Sequence, residues 1–447
     1  METIVQLTKQ ETQLGFEDAA VGGLFEKPVA TLPAQTMAAD LSASAFPQSR
    51  ALPRTVASGV AILTGGFDPH YTYGLATELA SRQLPLEVVG GDEVDHPEMR
   101  AAQNLKFLNL RSTTQNKGPA RKIGELLSYY ARLIRYAATA RPRIFHILWN
   151  NRFQTFDRTA LMLFYKLRGK KVVFTAHNVN AGKRDGKDSL LNRLTLRVQY
   201  FLSDHIFVHT ELMKRELIDD FGIRKSAITV IPFGINNAIP STALTCDQAR
   251  QTLGIAVTDK TILFFGALRP YKGLEYLVPA FLKLAEKDSA YRLIIAGGPR
   301  KGDEKYLADV LRQIDESPCR GQAIQVIRDI PDEEVELYCK AADVAVLPYT
   351  HIFQSGVLFL AYGFGLPVVV TDVGSLRDEI VEGETGFVCR PRDSSDLARA
   401  LEAYFDSDLY RKLDRRRGEI QQWVTARHSW KTVGEMTVAV YEDLLAK

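Results

Sequence analysis

No run of about 18 or more uninterrupted apolar residues occurs in this 447-residue sequence, so none of it reads as a bilayer-spanning helix. Cysteine is scarce: Cys246, Cys319, Cys339 and Cys389 are scattered without C-x-x-C spacing. That pattern excludes a cysteine zinc cluster and a disulfide framework, and it suits a reducing cytosol. The first twenty residues, METIVQLTKQETQLGFEDAA, lack the basic start and apolar core of a secretory signal, so a cytoplasmic protein is expected. Acidic residues are almost missing from one stretch. Between Arg100 and Tyr200 there are 21 Lys and Arg against Glu125, Asp157, Asp185 and Asp188, a balance of +17 in a chain whose net charge is only +3. The remainder must sum to about −14, and a field of one sign on one half of a protein attracts anionic partners. No nucleic-acid motif accompanies the basic stretch, so nucleic acid is not expected as a partner.

What is present is a long alternation of short buried strands and helices. Residues 1–55 are rich in Ala, Ser, Thr and Pro with weak periodicity and read as a flexible extension. From residue 59 onward GVAILTGG, LEVVGG, KFLNLR, RIFHILWN, KKVVFTAHN, HIFVHT and AITVIPFG read as strands with helical patterns between them. After a break at NAIPSTALTCDQ a second alternation follows in TILFFGAL, YRLIIAG, IQVIRDI, DVAVLPY and PVVVTDV. The segment from Asp396 onward reads as helical throughout. The fold class is therefore α/β: two doubly wound, Rossmann-like domains facing a cleft, in which ligands bind beyond the carboxyl ends of the strands. The expected boundaries are 1–55 for the extension, 56–236 and 237–425 for the two domains, and 426–447 for a terminal helix.

The segment Leu347 to Gly374 is the most informative. DVAVLPY ends a strand, QSGVLFLAYG starts a helix with small polar residues, and VVVTDV is a β-branched run suited to a sheet buried on both faces. A helix opening at Gln354, Ser355 and Gly356 offers free backbone N–H groups and the positive end of its dipole to an anion.

With these motifs in order, roughly residues 170 to 445 resemble the family-4-like retaining glycosyltransferases of the GT-B fold. The resemblance is carried by TAHNV, VIPFGIN, FFGALRPYKG, IIAGG, CKAADVAVLPY, the QSGVLFLAYGFGLPVVV block, GETGFV and a closing HSWKTVGEMTVAVYEDLL. It implies a second domain that binds a nucleotide sugar, a first domain that binds the acceptor, and final helices that cross back to the first domain. Arg269 and Lys272, in the GALRPYKG turn after Gly266, would clamp the diphosphate. Gln354, Ser355, Gly356 and Val357 would cap the diphosphate and sugar. His177, at the end of KVVFTAHN, would face the donor sugar and orient the reacting centre, with Asn178 beside it. Gly65 and Gly66 in TGGFDPHYTYG would approach the acceptor side, where Asp68 and His70 bind hydroxyls or move a proton. Arg328 and Ile330 fall where the family holds the nucleobase.

One departure stands out. The family's usual pattern of a Glu, seven residues and a second Glu aligns with Ile352 and Leu360, so both carboxylates are replaced, and with the second goes the usual ribose contact. The resemblance implies a metal-independent hexosyltransferase without a cofactor. It would use a UDP- or GDP-sugar and a glycolipid or polysaccharide acceptor. The basic helix RKIGELLSYYARLIRYAATARPR, which includes Arg121, Lys122, Arg132 and Arg135, would touch an anionic membrane from the cytoplasmic side. Two other readings share the scaffold: an epimerase or hydrolase of sugar nucleotides, and a non-catalytic nucleotide-sugar-binding subunit.

Overall fold

The computed structural model describes residues 59–446, apart from 67, 112–118, 185 and 236–238. The extension expected over 1–55 and the boundary expected at 236/237 lie outside the described residues. The described part contains two parallel sheets. The first has seven strands in the order β3-β2-β1-β4-β5-β6-β7: β1 Val60–Leu63, β2 Leu86–Gly91, β3 Leu105–Arg111, β4 Ile144–Ile147, β5 Lys171–Thr175, β6 His205–Val208 and β7 Ile228–Val230. The second has six in the order β10-β9-β8-β11-β12-β13: β8 Lys260–Phe265, β9 Tyr291–Ala296, β10 Ala323–Val326, β11 Val344–Leu347, β12 Val368–Thr371 and β13 Gly386–Cys389. Strand order reverses between β1 and β4 in one sheet and between β8 and β11 in the other. Those two switch points are where loops diverge and leave room for a ligand.

Burial follows composition. Central runs such as VAIL in β1 and VVVT in β12 are buried at every position, as strands covered on both faces must be. Twelve of the strands match the sequence expectation. The thirteenth, β13, was not foreseen: it has only four residues, GFVC, pairs with β12 alone and is half-buried at its centre, too short for a periodic signal.

One face of the first sheet carries α1 (Pro69–Ser81). The other carries α2 (Pro119–Thr139), α3 (Met162–Leu167), α4 (Leu190–Leu202) and α5 (Glu211–Asp219), whose buried residues share one core with β4, β5 and β6. In the second domain α6 (Leu274–Lys287), α7 (Asp332–Ala341) and α8 (Gly356–Gly363) cover the sheet. The closing segment is not one continuous helix. It breaks near Asp406, at Lys412 and again at His428, between α9 (Leu413–Arg427) and α10 (Trp430–Ala446).

The last break redirects the chain. α9 packs on α8, whereas α10 lies against α1 and contributes Trp430, Val433, Val438, Tyr441 and Leu444 to the core of the first domain. Gly74 and Gly234 allow this, since a Cβ on either would stand 2.0 to 2.5 Å from the Trp430 ring. The Trp430 indole N–H donates to the Ile235 carbonyl at 2.8 Å, and buried His146 joins Tyr441 Oη at 2.6 Å to Thr175 Oγ1 at 2.7 Å. Burial pushes His146 down to about 3, so it is neutral in this network.

Candidate active site between the two domains

A cavity of about 460 Å³ opens beyond the switch points of both sheets. The first domain contributes Asp68, His70 and Tyr71; the crossing segments contribute Phe233, Gly234 and Trp430; the second domain supplies Lys272, Tyr349 and the start of α8.

Lys272 is the central cation. After β8 the chain turns at Gly266, where φ is +92° and a Cβ would stand 3.0 Å from Lys272 Nζ and 3.4 Å from Val357 Cγ2. Residues Pro270–Lys272 then form a single 3₁₀ turn, and the helix begins only at Leu274. At Gly273, φ +71°, a Cβ would meet the Pro348 carbonyl oxygen at 2.0 Å, so the turn sits directly against the loop leaving β11. Lys272 is only 6% exposed, and its ammonium lies 5.5 Å from the centre of the Tyr349 ring. Burial, reinforced by the charges of Arg300 and Arg269, pushes its pKa down to about 8. Among the described residues no carboxylate pairs with it.

The start of α8 faces the same space. Ser355 caps the helix without a side-chain hydrogen bond to it, so Gly356 and Val357 present first-turn N–H groups that no intrahelical carbonyl accepts. The Gln354 amide N–H donates to Glu379 Oε1 at 3.3 Å, which leaves its buried Oε1 without a partner among the described residues. Ser355 Oγ lies 3.4 Å from Tyr349 Oη. Ile352 and Leu360 both line the cavity, so the positions where the family pattern carries carboxylates are apolar wall here.

Arg269 and Arg328 are placed differently from the expectation. Arg269 precedes the turn in extended backbone; its guanidinium lies 3.3 Å from Asp303 and 5.3 Å from the Tyr271 ring centre, outside the cavity lining. Arg328 points to solvent and pairs with Glu334, while Ile330 does line the cavity. Gly65 and Gly66 form a left-handed turn whose close neighbours are the Trp149 carbonyl and the Arg111 and Glu93 side chains. Their freedom therefore serves packing within the first domain. Asp68 caps α1, accepting from the Tyr71 N–H at 3.0 Å, and burial raises its pKa. His70 reaches across the cleft to Asp332 at 3.4 Å.

His177 sits just beyond β5, stacked on Trp149 with centroids 4.0 Å apart and met edge-on at 4.6 Å by cavity-lining Tyr71. Its Nδ1 lies 3.0 Å from His209 Nε2, and His209 Nδ1 lies 3.3 Å from the Ile231 carbonyl. A carbonyl only accepts, so His209 carries its proton on Nδ1 and accepts at Nε2; His177 must then donate from Nδ1 and hold a lone pair at Nε2. That Nε2 has no partner among the described residues. Burial holds both rings neutral, His177 well below the ordinary range and His209 at about 4. Asn178 follows, its side-chain oxygen buried and unpartnered among the described residues, but it does not line the cavity. His209, Trp149, Tyr71, Arg300 and Asp332 were not singled out from the sequence. The register of β5 on β6 was the missing signal for His209, since Val173 pairs with His205 four residues before each histidine.

Two Rossmann-like domains with a buried lysine and a helix start facing one cleft define the GT-B architecture of nucleotide-dependent transferases. Comparison with known proteins agrees: a family model described as Glycosyltransferase Family 4 matches residues 70–238, and one described as Glycosyl transferases group 1 matches residues 259–407. The chain belongs to the family-4-like glycosyltransferases of the GT-B fold. It is 29% identical over 246 residues to a D-inositol 3-phosphate glycosyltransferase of Corynebacterium urealyticum, a match spanning 54% of this chain and 57% of that relative. Among solved structures it is similar to sucrose-phosphate synthase from Thermosynechococcus elongatus, with TM-score 0.69, 18% identity and coverage of 87% of this chain and 99% of that one. An Anabaena protein, HepE, crystallised with UDP-glucose, gives TM-score 0.66 at 16% identity, covering 86% and 99%.

Proposed function

We propose that this protein transfers a hexosyl group from a UDP- or GDP-hexose to a glycolipid or polysaccharide acceptor, with retention and without a divalent metal. The observation that carries the reading is Lys272, a buried cation with no carboxylate partner among the described residues, opposite the unpaired N–H groups of Gly356 and Val357. Such a pair of fixed positive features stabilises the charge that grows on a departing diphosphate. The acceptor hydroxyl oxygen bonds to the anomeric carbon, the bond from that carbon to the diphosphate oxygen breaks, and the hydroxyl proton passes to that phosphate oxygen. Gln354 Oε1 accepts a hydrogen bond from a donor-sugar hydroxyl, while His177, packed against cavity-lining Tyr71 and not itself in the cavity lining, orients that wall of the site. UDP-glucose in a neighbour of the same fold and inositol phosphate in a relative's name both support a nucleotide-sugar donor and a polyol acceptor.

A thermal-shift panel of UDP, GDP, ADP and dTDP with their sugars tests the donor. A true donor at a hundred times its dissociation constant adds about 2.7 kcal/mol of stability. No shift with any of them sinks the reading. Free sugar released rapidly without acceptor points instead to a hydrolase, and EDTA leaves turnover unchanged if the cleft works as described.

A further inference from the structure

The loop entering α8 is clasped from behind by the segment that follows β12. At Gly374 φ is +59° and a Cβ would overlap the Ile352 carbonyl oxygen, so the two backbones touch. The Ser375 N–H donates to the Phe353 carbonyl at 2.9 Å, and the chain then closes a 3₁₀ turn over Arg377–Glu379. This brings the Glu379 side chain, 12% exposed, behind cavity-lining Gln354. Its Oε1 accepts from the Gln354 amide at 3.3 Å. Its Oε2 faces His428 Nε2 at 3.2 Å, and the Tyr362 hydroxyl donates to its backbone carbonyl at 3.0 Å. His428 is held in turn: its Nδ1 lies 3.2 Å from the Phe233 carbonyl, and its ring centre 4.5 Å from that of Phe359 in α8.

Glu379 is not in the cavity lining, so its effect on the site passes through Gln354. A primary amide is ambivalent: one end donates, the other accepts, and turning it about its last bond exchanges them with almost no change of shape. A carboxylate oxygen only accepts. Glu379 therefore draws the amide N–H groups to itself and leaves the Gln354 oxygen as the end free for a ligand. That oxygen is buried and has no partner among the described residues. An unmet buried acceptor favours a ligand that donates a hydrogen bond and penalises one that presents a second acceptor in the same place.

We infer that Glu379 is a positioning residue that sets the polarity of Gln354, and that through it the site selects a nucleotide sugar whose group at Gln354 donates a hydrogen bond: a hydroxyl, and not a carboxylate, keto or fluoro group. This rests on the donor reading above and adds to it the residue that fixes the acceptor and the sugar chemistry that is refused. Gln354 and Glu379 stand 25 positions apart and follow different strands, so only the folded chain brings them together.

The test is calorimetric binding to the full chain of UDP, GDP, UDP-glucose and GDP-mannose, and of both sugar nucleotides with fluorine in place of each sugar hydroxyl in turn. Fluorine is close to a hydroxyl in size but cannot donate. In wild type one position of the series loses about tenfold or more in affinity. Glu379→Gln lowers that penalty to about threefold or less, because an amide facing an amide lets Gln354 present either end, while bare UDP or GDP binds within about twofold of wild type. The exchange Gln354→Glu/Glu379→Gln swaps donor and acceptor between the two positions, keeps an oxygen toward the ligand and restores the penalty to about tenfold, which a merely structural role would not do. A flat series in wild type, an unchanged penalty in Glu379→Gln, or no restoration in the exchange would each overturn the inference. A Glu379→Gln chain that does not fold leaves the exchange variant and the wild-type series to decide. Wild type that binds neither UDP nor GDP sinks the donor reading, whereas diphosphate binding with a series that the variants do not alter sinks only the role of Glu379.

Discussion

His177 and His209 are neighbours because Val173 pairs with His205, and the same offset carried four residues past that pair sets His177 Nδ1 3.0 Å from His209 Nε2. The Ile231 carbonyl then fixes both tautomers. His209→Phe keeps a ring against Phe233 and Tyr71 but removes the acceptor for His177 Nδ1. We expect kcat/KM to fall by about tenfold, near 1.4 kcal/mol, as for loss of one buried hydrogen bond. His209→Gln, whose amide oxygen can accept, should recover part of it. Equal kcat/KM in wild type and His209→Phe would remove His209 from the site.

Lys272 gives a pH prediction. A lysine pushed down to about 8 is charged below that pH and neutral above it, so donor affinity of the free protein is full near pH 7 and declines as pH rises through about 8. Lys272→Met should cost about 3 kcal/mol in kcat/KM, and Lys272→Arg should abolish the alkaline limb. A limb that persists in Lys272→Arg would assign the titration to another group.

Leu360 lines the cavity where the family pattern carries a ribose-binding carboxylate. With an apolar wall there, a 2′-deoxy nucleotide sugar should be used within about tenfold of the ribo form, since no buried acceptor is left unpaired by the missing hydroxyl. The ratio of kcat/KM for the two donors measures this. A ratio above about a thousand would mean that another side chain reads the ribose.

Gly74 meets the Trp430 ring so closely that a Cβ has no room, at 2.0 Å from Cε2. Gly74→Ala should cost about 2 kcal/mol or more by displacing α10 from α1. Chemical denaturation reads the loss directly, and a variant as stable as wild type would show that α10 moves aside freely.

Twelve of the thirteen strands among the described residues and the helix opening at Gln354–Gly356 were readable because each is a local signal: β-branched runs, and a Gln-Ser-Gly start. β13 escaped because four residues at a sheet edge carry no periodicity. Side-chain direction was less legible. Arg269 and Lys272 are three positions apart, yet only Lys272 faces the cavity, because Asp303, 34 positions away, draws Arg269 off. The His177–His209 pair depends on strand order, which follows from the assembled sheet.

The docking of α10 carries a consequence for how the protein is made. His146 and Tyr441, 295 positions apart, are partners in the core of the first domain. On the ribosome the strands of that domain emerge first, yet the 17-residue helix that seals their face is translated after the whole second domain. The first domain must therefore wait, with the apolar groove between Tyr71 and Leu79 open to water and to chaperones, until synthesis has passed Tyr441. Its folding is timed by translation of the other half of the protein, and a ribosome stalled before Trp430 would release a chain whose first-made domain is still unsealed.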